Sequence, residues 1–271
     1  MTAKPSARRL AELVEFGEAD AYENLFRHAP PDLGLSVIRS GGAALLIASS
    51  LPIILFNRVI GLGLREPATE AAVDEILMRY RVAGSSAFAV QLSPSAAPSD
   101  LPARLRARGL PLRDNWAKVY RAARPDVIVQ TDLRVERIDR ARAVAFAEIS
   151  CTAFGMPAVM QPWLTAGVGQ PGWAHYLAFD GETPVAGGAL FVKGDVGWLG
   201  IASTLPAHRR RGAQGALMAR RIHDAAELGC RWVVTETGED TPEQPNPSYH
   251  NMLRSGFVLA YQRPNYIAQT E

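Results

Sequence analysis

Three consecutive arginines and a glycine stand at the start of a helix-forming segment in the second half of the chain. The first amides of a helix have no partner within the helix, and they carry the positive end of its dipole, so they bind anions. Guanidinium groups add charged donors, and glycines let the backbone approach a phosphate closely. The loop therefore predicts a diphosphate site, although three arginines alone are also typical of a solvated basic patch. The loop consists of Arg209, Arg210, Arg211, Gly212, Ala213, Gln214 and Gly215.

The residues around this loop resemble the GNAT superfamily of acyl-CoA-dependent N-acetyltransferases. An apolar strand and the sequence Thr204-Leu205-Pro206 precede the arginines, an Ala- and Leu-rich helix follows them, and a Gly-Phe pair stands near the C-terminus. The family's loop signature is Gln or Arg, two residues, Gly, one residue, then Gly or Ala. Arg209 and Gly212 fit its first and fourth positions. Gln214 departs from the sixth position, and Gly215 follows it directly.

The resemblance covers residues 135–267 and implies acetyl-CoA as the acyl donor. It implies a direct attack by a primary amine of a small molecule on the thioester, in a ternary complex and without an acyl-enzyme. In this fold the fourth and fifth strands splay apart, and the pantetheine arm lies in the gap. By position, the cofactor contacts outside the loop are the backbone of Ala202, Ser203 and Thr204, and the side chain of Ser248 or Asn251.

The catalytic groups of the family are only partly matched. Many relatives carry a glutamate on the strand before the arginine loop, and this strand has no carboxylate. Glu236 on the next strand is the first candidate for the base, with a surface or capping role equally open, and Glu148 is a weaker candidate. Met252 occupies the place of the usual acid, a tyrosine. Tyr249, one helical turn earlier, is the candidate substitute, and a packing role is the alternative.

Strands alternate with helical segments in both halves of the chain, which predicts an α/β fold. A change of pattern near residue 125 and a similar order of elements on its two sides predict two GNAT-like mixed-sheet domains, 1–125 and 126–271. The predicted helices cover residues 10–27, 69–80, 100–108, 138–152, 213–228 and 248–255. The predicted strands cover residues 43–48, 53–63, 86–92, 115–121, 174–179, 185–192, 198–203, 232–236 and 257–262.

The first half contains no equivalent of the arginine loop. In the matching place, Arg65 is the one basic residue before the helix, and Glu66 and Glu70 flank the helix start, where Thr69 is the expected N-cap. These acids complement the helix dipole and would repel a diphosphate. We therefore expect a degenerate N-terminal domain that does not bind CoA.

The formal net charge of +2 gives no reason to expect a nucleic acid or a membrane as partner. Residues 42–64 approach the length of a membrane span, but Pro52 and Arg58 interrupt them, so two buried strands are the better interpretation. The N-terminus lacks the apolar core of a signal peptide, and Cys151 and Cys230 are predicted to be buried thiols of a reducing compartment. The sequence thus predicts a cytoplasmic protein, monomer or homodimer. It has no metal-binding motif, and we predict no metal.

Three alternatives remain open at this level. In the first alternative the protein transfers or decarboxylates another acyl-CoA, because the sequence does not define the acyl group. A non-catalytic CoA-sensing or partner-binding protein is favoured by the missing strand carboxylate and by Met252. Nucleic-acid binding through the arginine loop is disfavoured by the lack of aromatic residues for base stacking near it.

Overall fold

A computed structural model describes residues 5–269. Seven α-helices occur within these residues: α1 (Ala7–Arg27), α2 (Glu70–Val82), α3 (Leu101–Ala107), α4 (Ala143–Phe154), α5 (Gln161–Gly167), α6 (Ala213–Glu227) and α7 (Pro247–Arg254). Eleven strands occur there: β1 (Leu35–Ser40), β2 (Ala43–Ala48), β3 (Arg58–Ile60), β4 (Ala87–Gln91), β5 (Leu112–Ala122), β6 (Arg134–Ile138), β7 (Trp173–Asp180), β8 (Thr183–Lys193), β9 (Val196–Thr204), β10 (Trp232–Gly238) and β11 (Val258–Gln269).

All of these strands belong to one sheet in the order β1-β2-β3-β4-β11-β5-β10-β9-β8-β7-β6. Strand β3 is parallel to β4 and β9 is parallel to β10, while the other neighbours are antiparallel. The predicted α/β class and mixed sheet are confirmed. The strands of both halves form a single continuous sheet.

The last strand of each half lies next to strands of the other half. Strand β5 pairs with β10 of the second half, and β11 pairs with β4 of the first half. The two exchanged strands also pair with each other along most of their length. The predicted boundary at residue 125 lies just after the end of β5.

Helices cover both faces of the sheet. One face carries α1, α4 and α5 over a core shared by the two halves. The opposite face carries α6 and α7 over the strands of the second half, and α2 and α3 over those of the first half. Helix α1 is buried around nearly its whole circumference because it packs across the centre of the sheet. It begins after Ser6, whose hydroxyl accepts a hydrogen bond from the Arg9 amide.

The predicted strand at residues 53–63 is wrong, whereas the one at residues 43–48 is confirmed. Residues 53–63 form a short 3-10 turn, Ile54–Phe56, and the three-residue strand β3. The side chain of Asn57 explains the turn, because its Oδ1 accepts from the Ala48 amide at 2.9 Å and its Nδ2 donates to the Leu51 carbonyl at 2.8 Å. Strand β2 has the predicted bounds. Within residues 5–269, no helix is both long and apolar enough to cross a bilayer.

The structure confirms the expected helix cap in the first half. Helix α2 begins at Glu70, and the Thr69 hydroxyl accepts from the Ala72 amide at 3.1 Å. Arg104 and Arg108 form ion pairs with Glu70. The start of α2 therefore already has an acceptor, the Thr69 hydroxyl, and an acid, Glu70, whose charge is neutralised. Both cysteines are free and buried, as predicted.

Candidate functional site

The parallel strands β9 and β10 separate part-way along their length. They pair only where Trp232–Val234 lies beside Val196–Trp198. The Thr235 hydroxyl then donates to the Leu199 carbonyl at 2.7 Å, and beyond this bond the strands diverge. The predicted splay between these two strands is therefore present.

A bulge in β9 begins where the strands diverge. The register with β8 shifts between Gly187 and Ala189, and Ile201 has a φ of 50°. A β-branched residue rarely adopts this left-handed conformation, so the surrounding pairing must enforce it. Bulges re-aim the backbone, and this one lies immediately before Ala202, the first β9 residue in the wall of the cleft.

A cleft of about 950 Å³ opens beside this bulge and extends to the start of α6; we call it the α6 cleft. Among the residues that line it are eleven predicted cofactor contacts: Ala202, Ser203, Thr204, Arg209, Arg210, Gly212, Ala213, Gln214, Gly215, Ser248 and Asn251. The structure thus brings residues from three separate segments, predicted from sequence, to one cleft.

No side chain caps the start of α6, whereas Ser6 caps α1, Thr69 caps α2 and Asn246 caps α7. Gly212 occupies the N-cap with a φ of 84°, no side chain caps the helix, and its first turn contains no acid. Its first intrahelical bond runs from the Ala216 amide to the Gly212 carbonyl. The amides of the first turn therefore lack acceptors within the helix and carry the positive end of the dipole toward the cleft.

Gln214, at the position that departs from the family signature, links α6 to α7. Its Nε2 donates to the Ser248 hydroxyl at 2.7 Å, and its Oε1 accepts from Asn251 Nδ2. Arg254 in turn donates to Asn251 Oδ1. These bonds hold a row of polar side chains along one wall of the cleft. The buried hydroxyl of Ser203 on another wall has no hydrogen-bond partner among residues 5–269.

Arg211 lies differently from the prediction that it contacts the cofactor. Its guanidinium pairs with Asp180 and Asp132 and does not line the cleft. The hydrogen bonds to these carboxylates raise the pKa of Arg211 above its ordinary value. Its carbonyl accepts from the Thr131 hydroxyl at 2.7 Å, so Arg211 anchors the loop while its two neighbours face the cleft.

The segment between the two halves forms a wall of the cleft that sequence reasoning missed. Val127, Ile128, Val129 and Gln130 line it. A side chain added at Gly215 would meet Val129 at 3.3 Å, and one added at Gly212 would meet Thr131 at 3.1 Å. These two glycines therefore allow the segment to pass close to the helix start.

Glu236, the predicted base, is buried next to the splay but does not line the α6 cleft. It accepts hydrogen bonds from Lys118 Nζ at 2.9 Å and from Trp198 Nε1 at 3.1 Å. Burial raises the pKa of Glu236, the nearby charge of Glu18 adds to this rise, and Lys118 opposes it. The environment therefore gives this carboxylate more basic character than an exposed glutamate has.

Glu236 belongs to a buried charge cluster beneath α1, made of Glu15, Glu18, Arg58, Lys118, Glu236 and Arg263. Glu18 is at its centre, within 2.7 Å of Lys118 Nζ, 2.6 Å of Arg263 Nη1 and 2.5 Å of Arg58 Nη1. Burial alone would raise the pKa of Glu18, but the three cations hold it well below the ordinary value. The cluster joins α1 to strands of both halves, and it was not predicted from the sequence.

Tyr249 and Glu148 also lie outside the walls of the cleft. Tyr249 is half-buried and packs against the apolar core that contains Met252. Glu148 is exposed on α4. Packing is thus the role that the contacts of Tyr249 support.

On the outer side of α6, ligand atoms of His223, Asp224 and Glu227 lie within 4.8 Å of one another, a grouping that sequence spacing did not predict. The Tyr176 hydroxyl donates to Asp224 at 2.7 Å, and Arg220 pairs with it at 2.8 Å. Asp224 is therefore already engaged by side chains of the protein, and the α6 cleft lies at the other end of the helix.

Solved structures resemble nearly the whole chain. A GCN5-related N-acetyltransferase from Kribbella flavida matches 99% of this chain and 98% of its own, with a TM-score of 0.67 and 18% identity. A tandem GNAT protein from the clavulanic acid biosynthesis pathway, solved without AcCoA, matches 97% and 94%, with a TM-score of 0.63 and 17% identity. The chain has the tandem GNAT fold. A GCN5-related N-acetyltransferase from Sphaerobacter thermophilus also has this fold, with a TM-score of 0.62, 15% identity, and coverage of 98% and 94%.

No family model and no curated protein sequence matches the chain. At identities of 15–18%, the structural likeness shows the GNAT fold, and the fold supports acyl transfer as the general class of chemistry.

Proposed function

We propose that the protein transfers an acetyl group from acetyl-CoA to an amine of a small molecule, by direct attack in a ternary complex. The observation that carries this proposal is the convergence on one cleft of an uncapped helix start, two arginines and the splayed end of β9. A helix start without an acid or a side-chain cap suits a diphosphate, and its counterpart in the first half is capped and acidic.

In this proposal Arg209, Arg210 and the first amides of α6 bind the diphosphate. The backbone of β9 after the bulge aligns the pantetheine arm, as a strand aligns a neighbour, and one of its amides polarises the thioester carbonyl. The orphaned hydroxyl of Ser203 is a further donor in that wall. Holding both reactants in one cleft supplies the proximity that direct attack requires.

Glu236 is the proposed acceptor of the ammonium proton, through water at the splay. Its raised pKa suits a base, since a proton acceptor works best with a pKa near the working pH. The pairing with Lys118 holds the carboxylate in place, 2.9 Å from Nζ.

A second candidate, a CoA-binding protein without transferase activity, is favoured by one observation: Glu236 and Tyr249 do not line the α6 cleft. Thiol release from acetyl-CoA in the presence of a panel of small primary amines separates the two. Amine-dependent release supports the transferase. Tight CoA binding without any release, across the panel, supports the second candidate.

The cleft assignment is tested by replacing both Arg209 and Arg210 with Ala. We expect CoA affinity to fall at least about tenfold, because hydrogen bonds to charged groups contribute roughly 1.5–3 kcal/mol each. Arg81→Ala, on an exposed turn of α2, is the matched control and should bind CoA like the wild type. Equal CoA affinity in the wild type and both variants would refute the assignment of the diphosphate to Arg209 and Arg210.

A further inference from the structure

A second cavity, which we call the Arg58 cavity, lies on the α1 face among strands of the first half. Its volume is about 370 Å³, within the range of small-molecule sites. Its walls include Ile54, Leu55, Arg58, Gln91, Trp116 and Ile267. It shares no lining residue with the α6 cleft.

Three charged residues line it, Arg58, Arg113 and Asp114, and of these Arg58 is fully buried. Its Nη1 donates to Glu18 Oε1 at 2.5 Å and to Gln91 Oε1 at 2.9 Å. The guanidinium carbon lies 4.4 Å from the centre of the Tyr22 ring and 5.3 Å from that of the Trp116 ring. Two aromatic contacts and two hydrogen bonds thus fix the plane of the guanidinium.

One edge of this guanidinium has no partner. Nε and Nη2 make no hydrogen bond to any residue between 5 and 269, although both are buried. These two atoms form the side fork that matches a carboxylate with two parallel hydrogen bonds. Buried donors without an acceptor are costly and rare in native proteins, so the free fork points to a ligand.

The other polar groups of the cavity are already engaged with each other. Gln91 Nε2 donates to Asn265 Oδ1 at 2.9 Å, and Asn265 Nδ2 donates to Asp114. These hydrogen bonds form a series from Arg58 through Gln91 and Asn265 to Asp114 in the cavity wall. Nε and Nη2 of Arg58 are the donor pair that the series leaves free. The remaining wall is mainly aliphatic and aromatic.

We propose that the Arg58 cavity binds a small molecule with one carboxylate and an apolar body. The carboxylate accepts two hydrogen bonds from Nε and Nη2 of Arg58, and the apolar body packs against Ile54, Leu55 and Trp116. A single guanidinium fork can pair with one carboxylate. A phosphate carries more charge than the fork can pair with, and the rest of that charge would face apolar side chains, so a monoanion suits the cavity better. Arg113 in the wall adds a second cation for attraction of the anion.

The test uses the full-length protein with 3-phenylpropanoate and 4-methylpentanoate, each compared with its uncharged amide. Titration is followed by isothermal calorimetry and by tryptophan fluorescence, since Trp116 lines the cavity. We expect saturable binding of a carboxylate and at least about tenfold weaker binding of its amide, as for loss of a bidentate charged pair. Equal binding of acid and amide, or no saturable binding of either acid, would overturn the proposal.

Two variants locate the site. Arg58→Lys keeps the charge beside Glu18 but lacks the fork, and Ala87→Leu adds bulk to the cavity wall without touching the charge cluster. Both should weaken carboxylate binding at least about tenfold. Arg210→Ala, in the α6 cleft, should leave it unchanged. Binding that survives Ala87→Leu and is lost in Arg210→Ala would place the carboxylate in the α6 cleft and reject the Arg58 cavity, even if Arg58→Lys fails to fold.

Discussion

Replacing Gln214 with Glu should change stability and CoA affinity in opposite directions. The shape of the side chain is kept, and both of its partners can still be satisfied, because Asn251 Nδ2 donates to an Oε atom and the Ser248 hydroxyl can rotate to donate to the other. The new carboxylate lies in the uncapped first turn of α6. An anion there stabilises a helix by about 0.3–1 kcal/mol, so unfolding by urea should require slightly more denaturant.

The same charge would face the diphosphate of CoA. At about 6 Å and an effective permittivity near 20, two like charges repel by about 3 kcal/mol, and partial exposure reduces this. We therefore expect an affinity loss of about 5- to 150-fold, corresponding to roughly 1–3 kcal/mol, measured by calorimetry at fixed ionic strength.

A matched control is available at the start of another helix. Gln161 is the first residue of α5 and lies outside the α6 cleft, so Gln161→Glu adds an equivalent charge to a helix start. It should stabilise the fold by a similar amount and leave CoA affinity unchanged. If Gln214→Glu binds CoA within twofold of the wild type, the diphosphate does not lie at the start of α6, and the reasoning fails.

Three further predictions concern the buried charge cluster and the packing of β9. Glu18→Gln should lower the free energy of unfolding by about 3–5 kcal/mol because it leaves buried cations uncompensated. Because the pKa of Glu18 is lowered in the fold, the stabilisation that Glu18 gives the wild type should be present at neutral pH and be lost as pH falls below the ordinary glutamate range. Urea titrations at several pH values would measure both effects. Glu236→Gln should lower kcat for acetyl transfer about a hundredfold at neutral pH, because the ammonium proton loses its acceptor, and a kcat equal to that of the wild type would reject Glu236 as the base. Gly200→Ala should lower the unfolding temperature, because its Cβ would lie 1.8 Å from the Trp198 ring, whereas Gly238→Ala, whose Cβ meets its nearest atom at 3.6 Å, should have little effect; equal shifts would contradict this packing.

The cofactor side of the site was predictable because its signals are local. The start of α6 at Ala213 follows from three arginines, a glycine and an apolar period of 3.6 residues within one segment. Strands β7, β8, β9 and β10 were predicted within a few residues because they are short apolar runs between turns, whereas β11 continues seven residues past its predicted end at residue 262. The cap at Thr69 was predicted for the same reason, since a cap depends on neighbouring residues alone.

The parts that could not be predicted depend on contacts between distant residues. The 3-10 turn after β2 is held by Asn57, whose role is visible only when its backbone partners are known. The exchange of β5 and β11 leaves no trace in hydrophobic periodicity, because an interior strand looks the same beside either neighbour. Glu15 and Glu18 are a partial exception: two acids three residues apart within an apolar helical segment are a signal for a buried ion pair.

Synthesis on the ribosome gives the exchanged strands a consequence for when this protein can fold. Strand β4 must wait for β11, the last strand of this sheet in chain order, and β5 must wait for both β10 and β11. The nascent first half therefore exposes unpaired strand edges until β10 and β11 have been made, a state prone to aggregation. Pairings between residues so far apart in the chain also slow folding, so a C-terminal truncation before β11 should yield insoluble protein even though it spares every residue of the α6 cleft.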